Sequence, residues 1–349
     1  MNRRQFLAAS AVLPLVRQTR AAESDPVPAW RHFAVTTRVV LRDSFGPAQL
    51  FLPLAQTAAG YQTVLDLQCQ GNGHNEMVRD QRYGAAILRS TWETGGEPQQ
   101  LTVVQTVATR DRGDLPFVAL TEAERRFWTA PAPSAPTDGI VRATAEHAMA
   151  GHTTPRERLR ALYDWVVDTT WRNPATPGCG LGDVKAMLET GNFGGKCADI
   201  NGLMVGLARA AGFPARDVYG IRVADSRLFP SIGKSGDISK AQHCRAEVFL
   251  EDTGWFPVDP ADVRKVVLEQ KLAVDSPAVR GLRERLFGQW EMNWIGYNSA
   301  TDIELPGAGE RVPNFAFLMY PCTFTGTGQP DTLDPARYHY EITSREIVT

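Results

Sequence analysis

The feature that most constrains this chain is a helix that begins at a cysteine. Cys197 follows a glycine-rich turn, and apolar residues then recur at helical spacing through residues 203–211 until Gly212 and Pro214 end the pattern. A thiol in the first turn of a helix lies beside unpaired backbone N–H groups and the positive end of the helix dipole. Both favour the thiolate, so the sequence predicts a reactive cysteine at this position.

A predicted β-hairpin downstream supplies the partners that a nucleophilic cysteine needs. His243 opens a run that alternates polar and apolar residues, an Asp-Thr-Gly turn follows, and a second strand over residues 255–260 carries Asp259 near its end. The two ends of an antiparallel pair are neighbours, so the Asp259 carboxylate can hold one imidazole nitrogen while the other faces Cys197. The spacing therefore predicts a Cys-His-Asp triad.

Each triad residue also has an ordinary structural interpretation when it is taken singly. A cysteine at a helix start is usually a small buried apolar residue, and an aspartate before proline most often forms a turn. The order and the predicted geometry of the three together favour catalysis. A binding domain that keeps a residual triad is the alternative.

The three blocks, in this order, resemble the transglutaminase-like superfamily of papain-like thiol enzymes. The likeness rests on Gly-Lys-Cys197 and its helix, on the strand that starts at His243, and on the Trp-Phe-Pro-Val-Asp-Pro run that contains Asp259. It implies that Cys197 is the nucleophile, His243 the general base and acid, and Asp259 the orienting carboxylate. The family often has an aromatic residue two positions after the histidine, where this chain has Arg245, which leaves substrate specificity unassigned.

Thiol hydrolases also need two hydrogen-bond donors for the oxyanion of the tetrahedral intermediate. The backbone N–H of Cys197 can supply one of them. In the relatives the second is often a Trp or Gln upstream of the cysteine, and no such residue stands at an equivalent position here. Gln242 and Asn192 are the candidates, and each can equally be a structural amide.

The amino-terminal residues predict an exported protein. Residues 1–21 contain a basic start with Arg3-Arg4, a short apolar stretch and a small-residue end, which resembles a twin-arginine signal peptide cleaved after Ala21. Removing them leaves 33 basic and 39 acidic side chains, so we expect a formal charge near −6 and no nucleic-acid partner. No later segment is long and apolar enough for a transmembrane helix, and the expected location is the periplasm.

Cysteine usage leaves the redox state open. If Cys197 is the free nucleophile, four cysteines remain, which allow three disulfide pairings or none: Cys69, Cys179, Cys244 and Cys322. Buried reduced thiols are as consistent with the sequence as bridges are. Neither Cys-x-x-Cys nor His-Glu-x-x-His spacing occurs, and no loop of alternating acids suits Ca²⁺, so we expect no metal and no cofactor.

Hydrophobic patterning predicts an α+β protein of two domains. Short alternating runs separated by Gly and Pro turns predict an antiparallel β-sandwich over residues 30–112, and a Pro- and Ala-rich stretch marks residues 113–138 as a linker. Residues 139–349 are expected to form the transglutaminase-like, papain-like core, with helices packed on an antiparallel sheet. Its first clear helix starts at the capping box that begins with Thr154.

A long segment before His243 is the best candidate for the border of a substrate groove. Residues 224–241 are rich in Gly, Ser and Lys, and long loops in compact domains are commonly functional. Arg227, Lys234 and Lys240 are possible contacts to a carboxylate, although an ordinary solvated loop explains them equally well.

The sequence thus favours an exported thiol hydrolase that cleaves amide or peptide bonds through a cysteine acyl-enzyme. The expected partner is a peptide or protein substrate, with cell-wall peptide as one candidate. Transfer of the acyl group to an amine, as in protein cross-linking, is the second hypothesis, and a non-catalytic peptide-binding module is the third. The oligomeric state cannot be read from the sequence.

Overall fold

The computed structural model describes residues 30–41, 46–93, 97–309, 315–326, 328–329, 332–333, 338 and 340–347. The predicted signal peptide, residues 1–21, lies outside this part of the chain. The α+β class is confirmed, since antiparallel sheets at the amino-terminal end precede a mixed core of helices and strands.

Six strands open the described chain and pack into two facing sheets. Both sheets contribute alternate residues to one apolar interior, which Phe33, Leu50, Leu88 and Val103 occupy with almost no exposure. This pattern is the inward and outward alternation of a β-sandwich. The strands are β1 Arg31–Leu41, β2 Ala48–Pro53, β3 Gln62–Gly71, β4 His74–Arg79, β5 Ala86–Trp92 and β6 Gln99–Thr109.

Two strands from the carboxyl-terminal end complete these sheets, which corrects the expected boundary of the core at residues 139–349. The strand Cys322–Thr325 pairs with β2, and the strand Tyr340–Ile347 pairs with β1. The physical reason is that β1 and β2 each leave an edge for a further strand. An alternating strand pattern does not say which open edge it will fill, so the sequence could not assign these two strands.

The stretch expected to be a linker, residues 113–138, contains a helix of its own. This helix, α1, covers Glu122–Thr129 and starts with a capping box between Thr121 and Glu124. None of its residues is buried, but Phe127 and Trp128 contact aromatic rings of the sandwich and of the core. At eight residues, the helix is shorter than the stretch over which an apolar period indicates a helix in sequence.

The core has a four-stranded antiparallel sheet with helices against it. The strands run in the order β12, β11, β9, β13, and helix α5 packs on β11 and β9 with all 14 of its residues buried. The larger elements are α2 Gly139–Ala148, α3 Pro155–Thr169, α4 Val184–Thr190, α5 Cys197–Ala210, β9 Ala215–Arg222, β11 Gln242–Leu250, β12 Gly254–Val258, α6 Pro260–Glu269, α7 Pro277–Arg285 and β13 Trp294–Asn298.

Short elements connect the sheets and border the region around Cys197. The strand β7, Trp171–Arg172, pairs in parallel with β8, Gly194–Gly195, which lies just before α5. The strand β10, Gly236–Asp237, adds to the edge of β17, Tyr340–Ile347. The short elements are β7 Trp171–Arg172, β8 Gly194–Gly195, a 3-10 turn Pro230–Ile232, β10 Gly236–Asp237, β14 Thr301–Ile303, β15 Phe315–Phe317, β16 Cys322–Thr325 and β17 Tyr340–Ile347.

Candidate active site

Helix α5 begins at Cys197, and a buried carboxylate fixes that start. The Asp199 side chain accepts hydrogen bonds from the backbone N–H groups of Lys196, Leu181 and Gly182 at 2.9, 2.9 and 3.0 Å. It therefore ties the loop at residues 179–182 to the first turn of the helix. A carboxylate in the first turn also suits the helix dipole.

The glycines around this carboxylate are required for the close approach of the loop. A Cβ at position 180 would lie 1.9 Å from an Asp199 oxygen, and one at position 195 would lie 2.5 Å from its Cβ. Gly180 also has φ near +98°, a conformation that other residues rarely adopt. The glycine-rich turn before Cys197 is thus part of what places the thiol.

The hairpin brings His243 and Asp259 together as the sequence predicted. Ala246 pairs with Val258, so the next residue after β12 lies beside the start of β11. The distance from His243 Nε2 to Asp259 Oδ2 is 2.8 Å, and both side chains are buried. This contact leaves Nδ1 of the imidazole for the thiol of Cys197, to which the histidine side chain also hydrogen-bonds.

A buried asparagine, which the sequence analysis did not single out, locks this pair to helix α5. Asn201 donates from Nδ2 to Asp259 Oδ1 at 3.2 Å and to the carbonyl of Cys244 at 2.8 Å. Its own carbonyl accepts from the N–H of Ala261 at 3.3 Å. Asn201 lies four positions after Cys197, which puts both on one face of α5. This four-residue spacing is the sequence feature that could have identified Asn201 as a site residue.

Two arginines and a second aspartate surround the histidine and balance its buried charges. Asp262 lies 3.5 Å from His243 Nε2 and forms a short ion pair with Arg222. Arg245 lies 3.6 Å from Asp259 and packs over the ring of Trp294, with 4.7 Å from its guanidinium to the ring centroid. Arg245 thus fills the position where the family often has an aromatic residue.

The same residues offer a donor set that could be mistaken for a metal site. Ligand atoms of His243, Asp259 and Asp262 lie within 4.8 Å of one another. Arg222 and Arg245 already neutralise the two carboxylates, so a further cation would be repelled by both guanidinium groups. The arrangement fits a hydrogen-bonded network better than a metal centre.

The electrostatics favour a charged histidine. Burial and the Arg222 guanidinium lower the pKa of His243, but the carboxylates of Asp262 and Asp259 outweigh them, and the net shift is upward. Burial raises the pKa of Asp262, but Arg222 and His243 outweigh it and hold that pKa below its usual range. The imidazole is therefore in an environment that stabilises imidazolium near neutral pH.

Two neighbouring thiols stabilise Cys197 as a thiolate. Hydrogen bonds from Cys179 and Cys244, together with His243, lower the pKa of Cys197 well below its usual value despite burial. The pKa values of Cys179 and Cys244 are raised in turn, so both remain protonated donors. All five cysteines of the chain are free thiols in the structure.

The hydrogen on Cys179 has two acceptors within reach. Its sulfur lies 3.4 Å from the carbonyl oxygen of Gln242 and also hydrogen-bonds with Cys197. Ionisation of Cys197 shifts the balance toward the sulfur, because a charged acceptor forms the stronger bond. Tyr320 donates to Cys179 Sγ at 3.1 Å, which keeps the Cys179 sulfur oriented.

A cavity of about 760 Å³ opens beside Cys197 and His243, and both line it. Of the two candidate oxyanion donors, Gln242 lines this cavity and donates from Nε2 to the carbonyl of Ser239 at 3.2 Å. Asn192 is exposed, does not line the cavity, and accepts from the N–H of Gly194 at 3.2 Å. The structure therefore brings Gln242 to the site and leaves Asn192 outside it.

The segment at residues 224–241 does border the cavity, as expected. Lys234 and Lys240 line it. Arg227 does not, because its guanidinium pairs with Asp111 at 2.6 Å and with Glu291 at 3.1 Å. The expected role of Arg227 as a carboxylate contact is therefore wrong, since its charge is already used between the domains.

Comparison with known proteins identifies the family. The profile of the transglutaminase-like superfamily matches residues 142–260, the stretch that contains all three triad residues. The chain belongs to this superfamily. It is also 34% identical over 332 residues to an uncharacterized protein of Haemophilus influenzae, an alignment that covers 88% of this chain and 89% of that protein.

A solved structure shares the fold of this chain. A candidate cysteine protease of Cytophaga hutchinsonii matches with a TM-score of 0.55 and 14% identity, and the match covers 92% of each chain. Family membership supports a thiol enzyme in general, in agreement with the resemblance found in the sequence. Within the described residues, every helix is too short or too polar to cross a membrane.

Proposed function

We propose that this protein is an exported thiol hydrolase that cleaves amide or peptide bonds, with Cys197 as nucleophile, His243 as general base and acid, and Asp259 as orienting carboxylate. The observation that carries the proposal is the contact of 2.8 Å between His243 and Asp259, with the thiol of Cys197 hydrogen-bonded to the same imidazole at the wall of a cavity. Nucleophile, base and orienting group in this order are what covalent acyl transfer requires.

The proposed reaction has two steps. The Cys197 thiolate attacks the amide carbonyl, a C–S bond forms, and the C=O electron pair moves to oxygen. As the tetrahedral intermediate collapses, the His243 imidazolium gives its proton to the leaving nitrogen and the C–N bond breaks. Water then attacks the thioester while His243 takes a proton from the water, and a C–O bond forms. The C–S bond breaks with its electron pair on sulfur, which releases the carboxylic acid and restores the Cys197 thiolate.

Two donors are proposed for the oxyanion. The first is the backbone N–H of Cys197, which lies at the positive end of α5. The second is the Gln242 side chain, which must exchange its hydrogen bond to the Ser239 carbonyl for one to the substrate. A Gln242→Ala variant should lower kcat more than it raises KM, because the bond forms only in the transition state.

The proposed location is the periplasm, and the Arg3-Arg4 pair supports it. Cell fractionation of the full chain and of an Arg3→Lys, Arg4→Lys double variant tests this part. Twin-arginine export predicts the parent in the periplasmic fraction and the variant in the cytoplasm. An unchanged distribution would rule out that route.

Thiol labelling tests the catalytic proposal before any substrate is known. Iodoacetamide is applied from pH 5 to pH 10, and alkylation at each cysteine is followed by mass spectrometry. Cys69 serves as the internal standard because its side chain is exposed. Its pKa is not lowered, since partial desolvation raises it. We expect Cys197 to react faster than Cys69 at pH 6. Equal or slower labelling of Cys197 would contradict the proposal.

A screen of peptide and amide substrates then tests the reaction itself. The parent is compared with Cys197→Ala, and with Cys69→Ala as a matched control that removes an exposed thiol. Hydrolysis that survives Cys197→Ala would exclude this mechanism. Addition of a primary amine such as glycinamide separates the two fates of the acyl-enzyme, because a transferase yields the new amide whereas a hydrolase yields the acid.

A further inference from the structure

The cavity is lined by more basic than acidic side chains. We call this set the basic wall: Arg172, Lys196, Lys234, Lys240 and Lys265. A sixth basic residue at the cavity, Arg222, pairs with Asp262 and is not counted. The acidic residues at the cavity are Asp237 and Glu341, and the carboxylate of Asp237, which accepts from the N–H of Ser239 at 2.9 Å, also interacts with the charges of Lys234 and Lys240, so five basic residues face two acidic ones.

The members of the basic wall come from separate parts of the chain. Arg172 ends β7, Lys196 precedes α5, Lys265 lies on α6, and Lys234 and Lys240 lie in the segment between β9 and β11. The fold therefore converges five positive charges on one space. Separate elements that aim one sign of charge into a cleft concentrate ligands of the opposite sign there.

The side chains of the wall are poorly compensated in the described part of the chain. Neither Arg172 nor Lys196 has an ion-pair partner there, whereas Lys265 pairs with Glu269 at 3.8 Å and also feels the charge of Asp262. Burial, followed by the charge of nearby Arg172, lowers the pKa of Lys196. Burial, then Arg222, lowers the pKa of Lys265 to about 8. These groups repel one another, and an anion among them would relieve that repulsion.

We propose that the basic wall is a binding subsite for a carboxylate of the substrate, so that the enzyme selects acidic peptides. The role of substrate in this statement rests on the proposed function, whereas the anion site itself does not. The cavity suits a small anion on a peptide chain, because Ala241, Tyr320 and Leu333 add apolar surface to the same lining. Arg172 would donate two parallel N–H hydrogen bonds to the oxygens of a planar carboxylate.

Two alkylating reagents of the same size test the subsite directly. Iodoacetate and iodoacetamide transfer the same carbon to sulfur but differ in charge. The ratio of their rates at Cys197 cancels the thiolate fraction and reports attraction of the anion. We expect this ratio to exceed the ratio at Cys69 by about 10-fold and to fall as salt rises. Equal ratios at the two cysteines would overturn the proposal.

Variants of the wall assign the effect to its residues. Arg172→Met and Lys265→Met remove one charge each and keep much of the side-chain length. We expect each to lower the iodoacetate preference at Cys197 by about threefold or more. Lys185→Met is the matched control, because Lys185 is an exposed lysine outside the cavity. A preference that both wall variants retain would overturn the assignment.

Protection experiments define the anion. Glutarate, glutaramide and inorganic phosphate are each tested for protection of Cys197 against iodoacetamide. The proposal expects protection by glutarate, little by glutaramide, and loss of protection in Arg172→Met. Protection by phosphate equal to that by glutarate would overturn the assignment to a carboxylate. Protection by glutaramide equal to that by glutarate would overturn a role for charge.

These results separate the two proposals. Slow iodoacetamide labelling of Cys197 counts against the catalytic function, whereas an absent iodoacetate preference with fast iodoacetamide labelling counts against the basic wall alone. Once a substrate is found, a Glu-containing peptide should have a kcat/KM about 10-fold above that of its Gln counterpart. Arg172→Met should remove that difference through KM.

Discussion

The two sides of the site around Cys197 handle charge in opposite ways. Behind His243, Asp259 and Asp262 each lie within 4 Å of a basic side chain, and the whole set is buried. Elsewhere in the lining of the cavity, Arg172 and Lys196 have no such partner among the described residues and remain partly exposed. We call the first set of charges the balanced side, which is buried, and the second the open side, which is unbalanced and faces the cavity.

The difference shows how one cavity can use one set of residues to activate the Cys197 thiol and another set to bind the ligand. The balanced side holds an imidazolium close to a thiolate, which requires fixed carboxylates and no competing water. The unbalanced side keeps free positive charge, which a ligand of opposite sign can complete. Substitutions on the balanced side should therefore affect chemistry and stability, and those on the open side should affect ligand preference.

The largest effect is expected from Asp259→Asn on the balanced side. The variant keeps an acceptor for the N–H of Asp262 but presents an amide N–H to His243 Nε2, which forces the other tautomer and removes the base. We expect hydrolysis to fall about 100- to 10,000-fold. Asp183→Asn is the matched control, since Asp183 also caps a helix but lies outside the cavity. Equal activity of parent and Asp259→Asn would remove Asp259 from the mechanism.

A second test on the balanced side concerns stability. Arg222→Met leaves Asp262 buried without its guanidinium partner, and this kind of change typically costs about 3–5 kcal/mol of unfolding free energy. Arg31→Met breaks the exposed pair with Glu346 and should cost about 1 kcal/mol or less. Urea denaturation measures both. Similar losses for the two variants would mean that the interior pair is no more important than a surface pair.

The next test removes a neighbour of the nucleophile. Cys179→Ala deletes a thiol that hydrogen-bonds with Cys197, so the pKa of Cys197 should rise and its labelling at pH 6 should slow about 3- to 10-fold. Cys322→Ala is the control, because Cys322 is also buried and protonated, with a pKa raised to about 12, but lies in the sandwich. An unshifted pH profile in Cys179→Ala would assign the stabilisation of the thiolate to Cys244 and His243.

The triad could be predicted because each of its parts is encoded locally. Helix α5 follows from apolar spacing that starts at Cys197, and the hairpin follows from alternation around a short turn. Local patterns fix these elements, and antiparallel pairing then places His243 beside Asp259 without knowledge of the rest of the fold. The resemblance to the superfamily uses the same three segments.

The basic wall and the thiol neighbours could not be predicted because they depend on contacts between distant segments. Cys179 reaches Cys197 through a loop held by Asp199, and Lys265 reaches the cavity from a helix beyond the triad. Arg227 had the same sequence signal as Lys234, yet only Lys234 lines the cavity. The sequence of a loop does not show which carboxylates the tertiary structure places beside its basic residues.

The smallest expected effect comes from the open side, where a substitution should raise the free energy of unfolding and not lower it as Arg222→Met does. Lys265 has a pKa of about 8 in the folded protein, below its usual value of 10.5, so the unfolded chain binds more protons between these pH values and stability rises with pH there. Lys265→Met should abolish this rise. It should also raise the free energy of unfolding at pH 7 by about 1 kcal/mol or less, because the substitution removes an ammonium group that neighbouring cations repel and keeps methylene groups that pack. Lys185→Met should keep the rise. Urea titrations at pH 7, 8 and 10 measure the free energy of unfolding of each variant. A loss of stability in Lys265→Met at pH 7 would show that Lys265 belongs to the balanced side.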